Sequence, residues 1–267
     1  MYEEYWNLKE KPFENTPDPR FFYYSSQHEE ALTRMLYVIR DRKGAGMLTG
    51  VFGCGKTLIG QSVLQEVGKE KYKVAFVTNP RLDDINLLRM ITYLLGAGEP
   101  PHEKTDVLIA LNNIITNNFH DGKETIVIID EAHCIENDSI FEELRLLLNF
   151  QLPDRFLLTL LLFGQPELMQ KIEKNKQFNQ RINIKCHLDS LNLKEAKEYI
   201  NHRLNIAGLS DKQIFNEEAV DLIYNYSGGI PRKINQLCDM ALFTGYCEGA
   251  SIIGSDIIGA VFKDWVV

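Results

Sequence analysis

The chain has 267 residues with 45% hydrophobic and 25% charged side chains, a composition that excludes wholesale disorder and is long enough to bury a large core. A formal net charge of −8 argues against a surface coated in basic residues, although it leaves room for a local basic patch. The five cysteines, Cys54, Cys134, Cys186, Cys238 and Cys247, stand singly with no C-x-x-C pair, so neither a disulfide framework nor a zinc site is expected.

Residues 1–26 are rich in proline and aromatics and lack periodicity. They read as an ordered arm, because so many aromatics are costly to leave in water. No apolar signal core follows the N-terminus, and the longest apolar run, 156–163, is too short to span a bilayer. A cytoplasmic chain with no membrane insertion is the expectation.

From residue 28 onward, helix and strand patterns alternate. Apolar residues at helical spacing predict a helix over 28–40. Residues 47–49 form a short strand running into a glycine-rich turn, and 58–67 is again helical. A strand at 74–78 stops at Asn79-Pro80. Helices follow at 84–95 and 107–118, separated by a proline-containing loop. The β-branched run 125–129 is a strand ending in Asp130-Glu131. Then come a helix over 140–150, a strand over 156–163, a helix over 167–177 and a strand over 182–188. This alternation predicts an α/β fold with a parallel sheet covered on both faces. Beyond residue 189 the pattern turns all-helical. Asn192 with Glu195 forms a capping box, Asn216 caps a second helix, Pro231 opens a third and Ser255 a last short one. The expected organisation is an arm at 1–26, a core at 27–189 and a helical lid domain at 190–267.

The stretch Gly50-Val51-Phe52-Gly53-Cys54-Gly55-Lys56-Thr57 satisfies G-x-x-x-x-G-K-[ST] between a strand and a helix, the context a phosphate-binding loop requires. Gly53 and Gly55 allow the backbone to curl its N–H groups around phosphate oxygens, and the following helix adds its positive end. Lys56 would set a cation between the β- and γ-phosphates, and the Thr57 hydroxyl would take a Mg²⁺ position. The nucleotide-binding set is therefore Gly50, Gly53, Cys54, Gly55, Lys56, Thr57 and Leu58, with ATP and Mg²⁺ as the implied ligands. Cys54 occupies a free position of the motif and reads as a small filler. Asp130 at the strand end would hold the Mg²⁺ shell, and Glu131 would polarise the attacking water. Asp130-Glu131-Ala132-His133 also spells a helicase box, but the helical remainder offers no second motor domain.

Four further polar residues lie where they can sense nucleotide. Gln165 follows the strand ending in Phe163 and can reach the γ-phosphate or the water. Arg181, just before the next strand, can point into a neighbouring subunit's site in a ring-forming ATPase. Arg232 starts the third lid helix after Gly228-Gly229-Ile230-Pro231; as a further nucleotide-binding residue it can reach the γ-phosphate from the lid and couple nucleotide state to lid angle. Asn79 can hold Glu131 unproductive until a partner binds. Lys171, Lys174, Lys176, Arg181 and Lys185 form a local basic stretch able to line phosphates of DNA.

These residues carry a family resemblance over nearly the whole chain. The arm 6–32 (WNLKEKPFENTPDPRFFYYSSQHEEAL), GVFGCGKT, VIIDEAH, EELRLLLNF at 142–150, FGQPEL at 163–168 and YSGGIPRKINQLCDMAL at 226–242 resemble the AAA+ ATPases of the ExeA/GspA type. The resemblance implies a P-loop NTPase core with a C-terminal helical lid and nucleotide at the domain and subunit boundary. It implies Arg232 as the lid sensor, Arg181 as the finger, and an arm that packs near the adenine around Phe13 and Pro17. His133 departs from the pattern, standing where these proteins usually carry glutamine. Secretion members look like this domain followed by a membrane span and a wall-binding part, whereas this chain ends at Val267. Stand-alone proteins of similar pattern resemble TniB/TnsC-like partners of DDE transposases. The first expectation is accordingly a homo-oligomeric ring or filament that regulates transposition with double-stranded DNA and a transposase. A secretion-assembly ATPase acting on protein partners is the second, and a low-turnover nucleotide-dependent scaffold the third.

Overall fold

A computed structural model describes residues 1–16, 18–210 and 212–266. In chain order the elements are α1 (Tyr2–Tyr5), a 3-10 turn (Pro19–Phe21), α2 (Ser26–Arg40), β1 (Ala45–Gly50), α3 (Lys56–Glu66), β2 (Tyr72–Val77), α4 (Asp84–Leu94) and α5 (Lys104–His120). There follow β3 (Glu124–Ile129), a second 3-10 turn (Ala132–Cys134), α6 (Asp138–Leu147), β4 (Gln151–Leu152), β5 (Arg155–Phe156), β6 (Leu158–Gly164), α7 (Glu167–Lys174), α8 (Lys176–Asn179) and β7 (Ile182–Leu188). Helices α9 (Leu193–Ile206), α10 (Glu217–Ser227), α11 (Pro231–Glu248) and α12 (Ser255–Val266) complete the chain. Two compact units result. A sheet unit comprises residues 27–52 and 59–188, and a helical unit comprises 1–26, 53–58 and 189–267.

The sheet unit is built on five parallel strands in the order β2-β3-β6-β1-β7. β1 and β6 are buried along their whole length, as central parallel strands with helices on both faces must be. Edge strand β2 instead alternates, with Lys73 exposed and Val74 half-buried. The register aligns Val77 with Ile129, Ile129 with Leu162 and Leu162 with Met47. The carboxyl ends of β3, β6 and β1 therefore finish at one edge, which brings Asp130, Gly164 and Gly50 to the side where open parallel sheets bind ligands. Beneath lies an apolar cluster that includes Leu87, Ile91, Leu111, Phe141 and Phe178.

Two expected elements break up, each for a local reason. The run 156–163 is not one strand: Phe156 belongs to β5, which turns back antiparallel on β4 around Pro153-Asp154. Proline lacks an N–H and initiates that turn. The expected helix over 167–177 stops at Lys174. The Asn175 side chain then accepts from the Phe178 N–H at 3.0 Å, which starts α8 and buries Phe178.

In the helical unit, α9 opens with the reciprocal Asn192–Glu195 capping box, the Asn216 side chain caps α10, and Pro231 occupies the first turn of α11. The N-terminal arm is part of this unit's core. Trp6 and Phe13 are buried, and the Trp6 indole N–H donates to Leu242 O at 2.9 Å. Buried Arg203 on α9 donates to Pro12 O and Glu14 O and lies over the Phe21 ring, tying the arm down through its carbonyls. Among the described residues no helix is long and apolar enough to cross a membrane.

Two consecutive glycines after α10 are left-handed, Gly228 at φ +61° and Gly229 at φ +72°. Their surroundings differ. A Cβ on Gly228 meets open space, whereas one on Gly229 would lie 2.0 Å from the carbonyl oxygen of Leu191, whose own N–H donates to Gly229 O. Gly228→Ala is expected to cost only the backbone term, about 1–2 kcal/mol. Gly229→Ala adds a steric clash and a lost hydrogen bond and should exceed it by at least about 1 kcal/mol. Urea-unfolding midpoints of the two variants check this; equal midpoints would show that the Leu191 contact carries no weight.

Candidate nucleotide site

The phosphate-loop motif leaves β1 at Gly50 and enters α3 at Lys56. Gly53 (φ +84°) and Gly55 (φ +102°) both occupy left-handed backbone, which supplies the inward curl expected of this motif. Lys56 is buried, with its Nζ 4.0 Å from Cys54 Sγ, while Thr57 and Leu58 are half-buried on the first turn of α3. Cys54 is fully buried, and burial pushes its thiol pKa up, so it packs and does not serve as a nucleophile.

Within the helical unit, residues 53–58 meet the start of α11. The Arg232 N–H points at Gly53 O, 3.3 Å away, and a Cβ on Gly53 would lie 2.8 Å from Arg232 Cβ and 3.1 Å from Ile230 Cγ2. Gly53 is thus required twice, by its φ and by this approach. The Leu191–Gly229 contact holds the segment that delivers Ile230, Pro231 and Arg232 to the loop.

The acidic strand end forms a second, equally specific arrangement in the sheet unit. Asp130 is buried; its N–H donates to Val77 O at 2.8 Å, and its Oδ1 accepts the Glu131 N–H at 2.9 Å. Glu131 has φ +52° and ψ +32°, a left-handed backbone that an L-residue adopts at a cost of about 1–2 kcal/mol. Its side chain remains about one-third exposed (34%), with Oε2 3.3 Å from His133 Nδ1. The Gln165 N–H points at the same Nδ1 from 3.2 Å. Lys171 on α7 donates to the carbonyls of His133 and Ile135 at 2.7 and 2.6 Å.

Other expected residues are engaged elsewhere. The Asn79 side chain accepts the Arg81 N–H at 3.2 Å, closing its own turn. Arg181 donates to Asn149 Oδ1 at 3.3 Å. Lys171 is spent on backbone carbonyls and Lys185 on Asn179, so the basic stretch is not a continuous outward face. Phe13 packs edge-on against Phe215 within the helical unit, and Pro17 lies outside the described residues. Sequence reasoning missed the parts played by His133, Lys171 and Gly229. The departure at position 133 was a visible signal, but its contact with Gln165 depends on the sheet register.

Comparison with known proteins agrees with this geometry. The AAA domain family matches residues 39–172. General secretion pathway protein A of Aeromonas hydrophila is 35% identical over 98% of this chain, which spans 48% of that relative's length. Among solved structures, the Aeropyrum pernix ORC2 protein (ADPNP-ADP complexes) is similar at 20% identity with TM-score 0.70, over 96% of this chain and 71% of that one. Drosophila ORC bound to DNA is similar at 16% identity with TM-score 0.76, over 100% of this chain and 66% of that one. A Thermotoga maritima RuvB mutant is similar at 17% identity with TM-score 0.62, over 91% of this chain and 70% of that one. The complete phosphate-loop motif, the buried aspartate at a central strand end and the parallel sheet accord with these matches: the chain belongs to the AAA domain family, and it is similar to general secretion pathway protein A over nearly its whole length.

Proposed function

We propose that the chain binds and hydrolyses ATP with Mg²⁺, and that its nucleotide state drives assembly of a partner complex. The observation that carries this reading is the contact of Arg232 with Gly53, which ties the start of α11 to a complete phosphate loop. The loop N–H groups from Gly53 to Leu58 cradle phosphates, Lys56 adds a cation, and Arg232 adds a second from the helical unit. The residue types suit a magnesium ion: Thr57 has a hydroxyl and Asp130 a buried carboxylate, the two groups expected from the motifs to hold it. A magnesium ion held by these residues would supply charge neutralisation for the phosphates. Glu131 polarises the attacking water, and Gln165 senses the γ-phosphate or that water. Arg181 acts as a finger on a neighbouring copy, in a homo-oligomeric ring or filament.

For the partner, the 35% relative supports a protein complex of the secretion-assembly kind. The transposition reading, with double-stranded DNA and a transposase, drew on the stand-alone pattern and secondarily on the basic stretch, and the second of these supports weakens because Lys171 and Lys185 make internal contacts. Steady-state ATPase rate and particle size, measured with and without duplex DNA at low and high salt, test the choice. The expected result is no change in rate or size. Salt-sensitive stimulation by duplex DNA would overturn the protein-partner reading in favour of a DNA-assembled regulator.

A further inference from the structure

The ring of His133 faces two demands at one atom. Nδ1 lies 3.2 Å from the Gln165 backbone nitrogen and 3.3 Å from Glu131 Oε2. An imidazole nitrogen carries either a proton or a lone pair in the ring plane, so it serves one of these partners at a time. With a lone pair there, Nδ1 accepts from the Gln165 N–H and meets the carboxylate as one acceptor facing another. With a proton there, it donates to Glu131 and gives up Gln165. The other nitrogen closes either arrangement. Nε2 is 3.4 Å from Cys134 Sγ, which accepts from Nε2–H in the first case and donates S–H to bare Nε2 in the second. The exchange moves a proton between ring nitrogens and leaves the net charge unchanged.

The surroundings keep the ring at this junction. Lys171 clamps the carbonyls on either side of Cys134, those of His133 and Ile135. A Cβ on Gly164 would lie 3.1 Å from the His133 backbone nitrogen, so the loop carrying Gln165 packs directly on the turn carrying the histidine.

We propose that His133 is a positioning residue that makes the orientation of Glu131 depend on the loop carrying Gln165. While the Gln165 N–H is docked on Nδ1, the carboxylate is unheld. When Gln165 turns to a γ-phosphate its N–H withdraws, Nδ1 takes the proton, and the ring holds Oε2 so that Oε1 faces the water. The proposal rests on Glu131 as the water-polarising group.

The test uses the full chain, with steady-state ATPase kinetics and thermal unfolding of His133→Leu and His133→Gln beside Glu131→Gln. Leucine fills the space and offers neither function, so kcat should fall about tenfold or more while KM stays nearly unchanged. Glutamine separates the functions, its amide oxygen accepting from Gln165 and its NH₂ donating to Glu131, and should recover most of the wild-type kcat. A leucine variant with wild-type kcat, or equal losses in both variants, would overturn the proposal. Should the leucine variant not fold, ¹⁵N resonances of the wild-type ring decide. The His133 Nδ1 signal should pass from the bare to the protonated range when a non-hydrolysable ATP analogue with Mg²⁺ replaces ADP, and an unmoved signal would overturn the proposal. Full hydrolysis by Glu131→Gln would instead sink the underlying reading of Glu131, a result distinct from failure at position 133.

Discussion

Lys56→Ala is expected to abolish ATP binding at ordinary nucleotide concentrations. Its ammonium is buried in the loop beside Cys54, so no solvent-exposed neighbour can take its place when it is removed. Truncating one partner of a desolvated charge pair costs about 2–5 kcal/mol, which is roughly a thirty- to several-thousand-fold loss of affinity. The loop geometry itself should survive, because Gly53 and Gly55 set the curl and the Arg232 contact is made by backbone at Gly53. The check is titration with a fluorescent ATP analogue alongside thermal unfolding. Wild-type affinity in Lys56→Ala would remove this loop from the nucleotide site.

Glu131→Gln should separate binding from turnover. The substitution keeps the length of the side chain and its approach to His133 while removing the carboxylate's basicity. Loss of a positioned general base typically costs about 10²- to 10⁴-fold in rate. Nucleotide affinity should be close to wild type, because the proposed phosphate contacts are assigned to residues 53–58 and Arg232. Single-turnover hydrolysis and equilibrium binding, measured on the same preparation, distinguish the two quantities. Hydrolysis at the wild-type rate would refute the assignment of Glu131.

The sheet was legible because parallel central strands have a simple signature. The largely apolar runs 125–129 and 156–163 announce burial on both faces, and the glycine-rich stretch after β1 carries the phosphate-loop motif in plain view. The helix starts in the helical unit were equally local, since Asn192 and Asn216 declare themselves by side chains three residues from their partners. What escaped prediction depends on distant partners. Nothing near Asn175 reveals that α7 must stop so that Phe178 can be buried. Nothing near His133 reveals Gln165, thirty-two residues on, because only the pairing of β3 with β6 brings their carboxyl ends together. The same holds for Lys171, which reads as surface charge in sequence and is in fact the donor that fixes the turn after Glu131.

The left-handed backbone of Glu131 has a consequence for anyone who tries to make the protein more robust. Asparagine and glycine adopt that conformation with less penalty than glutamate does, so either at position 131 would relax the chain by a fraction of the roughly 1–2 kcal/mol it now bears. A screen that rewards heat resistance alone would therefore favour dismantling the residue assigned to turnover, and a useful thermostability screen must score nucleotide consumption at the same time.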